Sequence, residues 1–222
     1  MRGTAAGVVA CALVAWSSAA RADSQEPPPA TATPPPATTP VVTKLDDTYS
    51  HAGQVGISAR VGTGMRFLST YQQTTPCDDT GDRACFAREP FTLELEAAYG
   101  IDSRIDVLAE ISFGLEQDFS SIPQIDNGPH LVRLSPGFRF FFGQSKNSKL
   151  FATVQAVFDL SEYKDAGGMS LGNDFGLRNI NAFMYDVNHS FGFYVFGGET
   201  FGFARWFDVE LEAGVGVQLR YP

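Results

Sequence analysis

The sequence predicts an all-β chain, an eight-stranded antiparallel up-and-down transmembrane β-barrel. Three observations predict it. Period-2 alternation of apolar and polar residues recurs in eight segments after Gln54, several of these run for ten residues or more, and long and short links alternate between them. Strands of soluble proteins usually run about five or six residues. A tilted strand crossing ~30 Å of hydrocarbon needs about ten. No stretch sustains a helical period, and no apolar run beyond the first 20 positions is long enough for a membrane-spanning helix.

The first element is a secretory leader, expected over residues 1–22. Arg2 supplies the positive start, an Ala-rich apolar stretch follows to Trp16, and Ala20-Arg21-Ala22 has the small-x-small shape of a cleavage site. Val8-Val9-Ala10-Cys11 loosely resembles an acylation box, but too little apolar sequence precedes it and the apolar run continues past it. Residues 23–53 read as a disordered Pro/Thr-rich linker, DSQEPPPATATPPPATTPV at its start, too polar and proline-rich to bury a core. It serves as a spacer or an interaction site. His51 lies before the predicted barrel, which spans 54–222.

The eight segments follow in order. Val55, Ile57, Ala59, Val61, Thr63, Met65 and Phe67 alternate with Gly, Ser and Arg. Phe91, Leu93, Leu95, Ala97 and Tyr99 alternate with Thr92, Glu94 and Glu96, leaving 69–90 as a long link. Ile105 to Leu115 alternates with Leu108 as its one exception. The fourth and fifth run from Val132 to Phe142 and from Leu150 to Leu160. Segments near 175–186 and 191–199 are less regular. Arg178, Asn179 and Asn181 interrupt the sixth on both parities, which a β-bulge or a lumenal hydrogen-bond cluster would explain. The eighth is FDVELEAGVGVQLRYP, where Val209, Leu211, Ala213, Val215, Val217, Leu219 and Tyr221 share one parity.

Alternation alone fits two barrels. A soluble one buries the apolar parity inside; a transmembrane one turns it outward to lipid and keeps the polar parity within. The polar parity here holds Gly, Arg, Glu and Asp with almost no Lys. That composition suits a narrow lumen, where Gly leaves room and Arg pairs with carboxylates. Aromatics gather near segment ends as well. Phe67, Phe91, Phe113, Phe158, Phe201, Trp206 and Phe207 are expected at the long-link rim, and Tyr99, Phe142, Tyr185, Phe191, Phe193 and Tyr221 at the short-turn rim.

The opening strand VGISARVGTGMRF and the closing Gly216-Val217-Gln218-Leu219-Arg220-Tyr221 resemble small Gram-negative outer-membrane barrels of the OmpA-transmembrane/OmpX-like class. The resemblance implies insertion by the outer-membrane assembly machinery, with Gly216, Leu219 and Tyr221 as the assembly signal. Pro222 after the aromatic is a departure from that pattern. The class also implies periplasmic termini, extracellular long links and outer-membrane lipid as the surroundings, with the long links free to meet a surface ligand. Its peptidoglycan-binding domain is not expected here.

Candidate site residues divide into three sets. Arg60, Arg66, Glu94, Glu96, Asp106, Glu110, Arg133, Arg139, Asp159, Glu210, Glu212 and Arg220 should line the lumen, either as a paired plug or as an ion path; eight strands favour the plug, because side chains about fill so narrow a barrel. Cys77 and Cys85 flank DDTGDRA, and an exported chain would join them in a local disulfide. Asp78, Asp79 and Asp82 lack the spacing of a calcium loop and read as a solvated acidic loop, so no metal and no cofactor is expected. The third set is the histidines. His51, His130 and His189 have no evident serine and carboxylate partners, and the chain is read as non-enzymatic. A net charge of −9 without a basic stripe excludes nucleic acid as a partner. A narrow pore for small or apolar solutes, a lipid-modifying barrel enzyme and a soluble periplasmic ligand-binding barrel are the competing functions.

Overall fold

The computed structural model describes residues 50–71, 84–118, 129–143, 145, 147–163 and 170–222. The expected leader, all of the linker before Ser50, Cys77 and the acidic residues between the two cysteines lie outside the described residues. The rest forms one closed barrel in which eight strands pair in sequence order, each antiparallel to the next, and β8 returns to β1. The strands are β1 (Val55–Ser69), β2 (Ala84–Gly100), β3 (Ile105–Gln117), β4 (His130–Phe142), β5 (Ser148–Asp159), β6 (Asp174–Asn188), β7 (Phe191–Gly202) and β8 (Phe207–Tyr221). Closure satisfies the backbone of both outer strands. The β1–β8 register runs unbroken from Val55 opposite Tyr221 to Ser69 opposite Phe207.

The pleat sends alternate side chains to opposite faces. Outward on β8 are Leu211 (61% exposed), Val215 (54%) and Leu219 (44%), while Glu210 and Glu212 point inward and are at most 7% exposed. The same sorting holds on β1, where Ile57 and Met65 face out and Arg60 and Arg66 face in. The apolar parity therefore forms the outer surface and the ionic parity the inside.

Four readings are corrected by the structure. The second strand begins at Ala84, so the first long link covers 70–83 rather than 69–90. The reason is a bulge: the β1–β2 register shifts between Gly62 and Gly64, opposite Glu89 and Thr92. Pro90 and Phe91 lie in that irregularity, where a proline without an N–H is tolerated. The inward parity changes phase there, from Ala87 and Glu89 to Thr92 and Glu94, which hides the first part of the strand from a period-2 reading. Trp206 does not join the outer aromatic rim. It is 4% exposed and packs edge-on against Tyr163, their ring centroids 5.3 Å apart. Asn179 and Asn181 belong neither to a bulge nor to a lumenal cluster. The β6–β7 register is regular across them, Arg178 alone turns inward, and both asparagines face out.

The fourth correction concerns the interior, which is not ionic throughout. Phe141, Phe151, Ile180, Ala182, Met184, Tyr194 and Phe196, from β4 to β7, form an apolar cluster inside the barrel. The glycines of β8 accommodate it. A Cβ on Gly214 would overlap the Phe196 ring, and one on Gly216 the Tyr194 ring. Large rings on β7 thus require bare backbone on β8.

Candidate functional site

The lumen holds the concentrated chemistry of the chain. Every residue of the expected lumenal set is at most 8% exposed, and the same interior takes in Glu89, Asp118, Lys149, Asp174, Arg178, Asp186 and Asp208. At mid-height two arginines bridge three glutamates drawn from three strands. Arg60 contacts Glu94 and Glu110. Arg178 donates from Nη1 to Glu110 Oε1 and from Nη2 to Glu94 Oε1, each at 2.6 Å, and from Nε to Glu212 Oε1 at 2.6 Å. Gln155 Nε2 donates to the remaining oxygen of Glu110 at 3.1 Å. Six strands are laced together by this one group.

Nearer the long links, Arg133 binds Glu210 through both Nη atoms, at 2.6 and 2.5 Å, the fork geometry of a strong Arg–carboxylate pair. Arg66 donates to Asp118 at 2.7 Å, and the Tyr163 hydroxyl donates to the other oxygen of the same carboxylate. Above them, the Arg205 guanidinium lies 4.2 Å over the Tyr163 ring, 3.6 Å from Asp159, and donates to the carbonyls of Ser161 and Gly172. Tyr163 carries burial and the adjacent Asp118 together, and its hydroxyl is pushed well above the ordinary tyrosine range, burial being the larger cause.

Nearer the short turns, Arg139 donates to Glu96 at 2.5 Å and lies 3.7 Å from Asp106, and Lys149 pairs with Asp186 at 2.6 Å. His51 completes this end. Residues 50–54 fold back under the barrel mouth, with Gly53 N–H on the Gly100 carbonyl at 2.8 Å. Gly100 has no side chain, and any Cβ there would overlap the His51 carbonyl. The imidazole is 2% exposed and meets Phe141 edge-on at 4.1 Å. Its Nε2 faces Lys149 Nζ at 2.6 Å and Arg220, while Nδ1 lies 3.8 Å from Asp106. Burial pushes its pKa down to about 4; the nearby Asp106 carboxylate opposes this, and the two neighbouring cations reinforce it.

The ionic and apolar parts of the lumen meet along a seam of cations over rings. Arg139 lies 4.6 Å from the Phe151 centroid, Arg60 5.2 Å from Phe196 and Arg220 5.9 Å from Phe141. Such contacts attract where a desolvated cation faces an aromatic ring.

Sequence reasoning missed His51, because it lies before the first alternation in a segment without a period of its own, and Lys149 and Asp186, because they sit at strand ends beside turns. Arg178 shares its parity with Ile180 and Met184, so alternation carried no signal that marked it as lumenal. The other expected sites are placed as follows. Leu219 and Tyr221 face outward and Gly216 inward. Cys85 lies near the start of β2 and is disulfide-bonded. His130 opens β4 with its Nδ1 3.1 Å from the Gly114 carbonyl, and His189 occupies the β6–β7 turn. Among the described residues no group of His, Cys, Asp and Glu is arranged to hold a metal ion.

No family profile matches the sequence, and no curated protein matches it. Solved structures do. The N-terminal β-barrel domain of Pseudomonas aeruginosa OprF is similar over 77% of this chain and 98% of that one, at 11% identity and a TM-score of 0.52. Ail, the attachment invasion locus protein of Yersinia pestis, is similar over 77% and 99%, at 13% identity and a TM-score of 0.49. Neisserial surface protein A is similar over 76% and 99%, at 14% identity and a TM-score of 0.49. The fold is that of the small eight-stranded outer-membrane barrels.

Proposed function

We propose that this chain is an integral outer-membrane protein with a structural, envelope-integrity or surface-interaction role, its lumen plugged by the Arg–carboxylate network. The observation that carries this reading is the sorting of faces. Leu, Val and Phe point outward around the barrel, and the lumen axis is crossed at several heights by side chains paired to other strands. An oily exterior is stable in lipid and a liability in water. The inner aromatic cluster fills the side that the ions leave.

On this reading residues 1–22 direct export and are removed, 23–53 lie in the periplasm as a tether, and the long links face outward from the cell. The Cys77–Cys85 disulfide staples the first long link, which with the others supplies the surface for a ligand. Gly216, Leu219 and Tyr221 engage the assembly machinery. The chain performs no catalysis of its own.

A second reading, a narrow pore, draws on one observation. Among the buried charged residues described, twelve carboxylates face only seven Lys and Arg side chains. A path opened through such a lumen would favour cations over anions.

Envelope fractionation followed by gel electrophoresis of boiled and unboiled samples tests the proposal. The chain is expected in the outer-membrane fraction, with a heat-dependent change in mobility. Recovery in the soluble periplasmic fraction, with no such change, would overturn it.

A further inference from the structure

The outer face of β6 and β7 departs from the rest of the oily surface. Its outward positions include Asn179 and Asn181 on β6 and Gly197 and Glu199 on β7. Asn181 pairs in register with Gly197, and Asn179 with Glu199. Leu177 and Phe201 lie beyond them toward the long links, and Phe183 and Val195 toward the short turns. The polar group is therefore set within the apolar belt rather than at its margin.

Its surroundings are small. The row through Asn181 continues to Ala152 on β5 and, through Gly197, to Ala213 on β8. The wall is recessed there into a cleft of about 420 Å³ whose lining includes Phe142, Leu150, Phe183, Val195, Asn181 and Gly197. The polar side chains in and beside it are incompletely matched. Asn179 Nδ2 donates to Glu199 Oε1 at 3.0 Å, but among the described residues Glu199 has no ion-pair partner and the Asn181 side chain no hydrogen-bond partner. The outward pair Arg88–Glu116 differs in this respect, closing on itself at 2.6 Å.

Hydrocarbon offers such groups nothing, so an amide and a carboxyl in the belt need a protein partner. An asparagine side chain both donates and accepts. A patch holding Asn181 beside Glu199 is therefore complementary to itself about a two-fold axis, the symmetry of most protein dimers. Ala152, Gly197 and Ala213 lack the bulk that would hold two walls apart, as small residues do at membrane interfaces.

We propose that two copies of this chain associate in the membrane through their β6–β7 walls, Asn181 of each donating to Glu199 of the other. This rests on the outer-membrane reading above, and the test separates the two. The full chain, carrying one fluorophore at its N-terminus, is reconstituted into phosphatidylcholine vesicles at high lipid-to-protein ratio. The heat-dependent mobility change of the same sample reports barrel insertion, and photobleaching steps report copy number.

Two-step bleaching is expected. The combined substitution Asn181→Leu with Glu199→Leu should lower the dimer fraction about tenfold or more, by loss of two reciprocal hydrogen bonds in lipid, and leave the mobility change intact. Glu199→Gln, which still accepts a hydrogen bond, should remain dimeric. A Cβ at Gly197 meets nothing closer than 3.7 Å, so Gly197→Cys should fold and form an oxidised dimer in the vesicles. Inserted barrels that bleach in one step would overturn the dimer and leave the membrane reading standing. Dimers indifferent to both leucine substitutions would overturn the assignment to this wall. A chain that neither inserts nor shows the mobility change would overturn both readings.

Discussion

The wall of β8 and the wall of β6 and β7 share one backbone geometry and differ in chemistry over their middle. On β8 the inward parity includes Asp208, Glu210, Glu212, Gln218 and Arg220, and the outward parity is apolar to the last residue of the strand. On β6 and β7 the inward parity includes Ile180, Ala182, Met184, Tyr194 and Phe196, and the outward parity includes Asn179, Asn181 and Glu199. The first wall is held by directional pairs that reach across the lumen, as Glu210 is tied to Arg133 and Glu212 to Arg178. The second is held by volume, which has no direction. The pleat decides which residues share a face. What fills the space across the lumen decides whether that face must be ionic or oily. Arg178 links the two regimes, a cation from the apolar wall reaching Glu212 of β8 as well as Glu94 of β2 and Glu110 of β3.

That link should show the largest effect. Removing one partner of a buried ion pair typically costs about 3–5 kcal/mol, because the opposite charge is left uncompensated. Arg178→Met leaves Glu212 without its cation and Glu94 and Glu110 with Arg60 alone, and a loss of this size is expected in urea unfolding from lipid vesicles. A loss below ~1 kcal/mol would break the contrast, since it would mean the ionic wall holds without its cation.

Acid sharpens the comparison at the seam. The His51 imidazole takes up a proton near pH 6.5 in the unfolded chain and only near about 4 in the folded one. Its contribution is therefore present in full above pH 6.5, falls as pH drops from 6.5 to 4, and is constant below that, amounting to about 3 kcal/mol over the window. Unfolding midpoints across this range should show the slope in the wild type and a reduced slope in His51→Gln. A slope unchanged by the substitution would place its origin elsewhere.

Within the apolar wall, Ile180→Val deletes one methylene from a fully buried site and should cost about 0.5–1.5 kcal/mol by the same unfolding measurement. No cost would mean that this side of the lumen is loosely filled. The smallest effect belongs to the half-exposed outer pair. Arg88→Ala should change stability by less than about 1 kcal/mol, as exposed ion pairs do.

How much of this was legible in the sequence follows from the same contrast. β1, β3 and β8 alternate without a phase change over most of their length, so their faces could be read residue by residue, including Arg60, Glu110 and Glu210. β2 changes phase at Pro90, and a period-2 reading cannot cross a bulge without knowing it is there; Glu89 was lost for that reason. β6 and β7 put apolar residues on both parities, so alternation carried too little contrast to sort Asn179 and Asn181 from Arg178. His51 and Trp206 lie outside the strands, in segments whose course depends on tertiary contacts with Gly100 and Tyr163 rather than on any local period.

The central claim is that the lumen of the inserted barrel is closed by Arg178, Arg60 and the glutamates between them. Conductance in a planar bilayer tests it most directly. Purified, heat-modifiable wild-type barrels are predicted to insert without unitary current steps. Reproducible steps of one size from the wild-type protein would contradict the account.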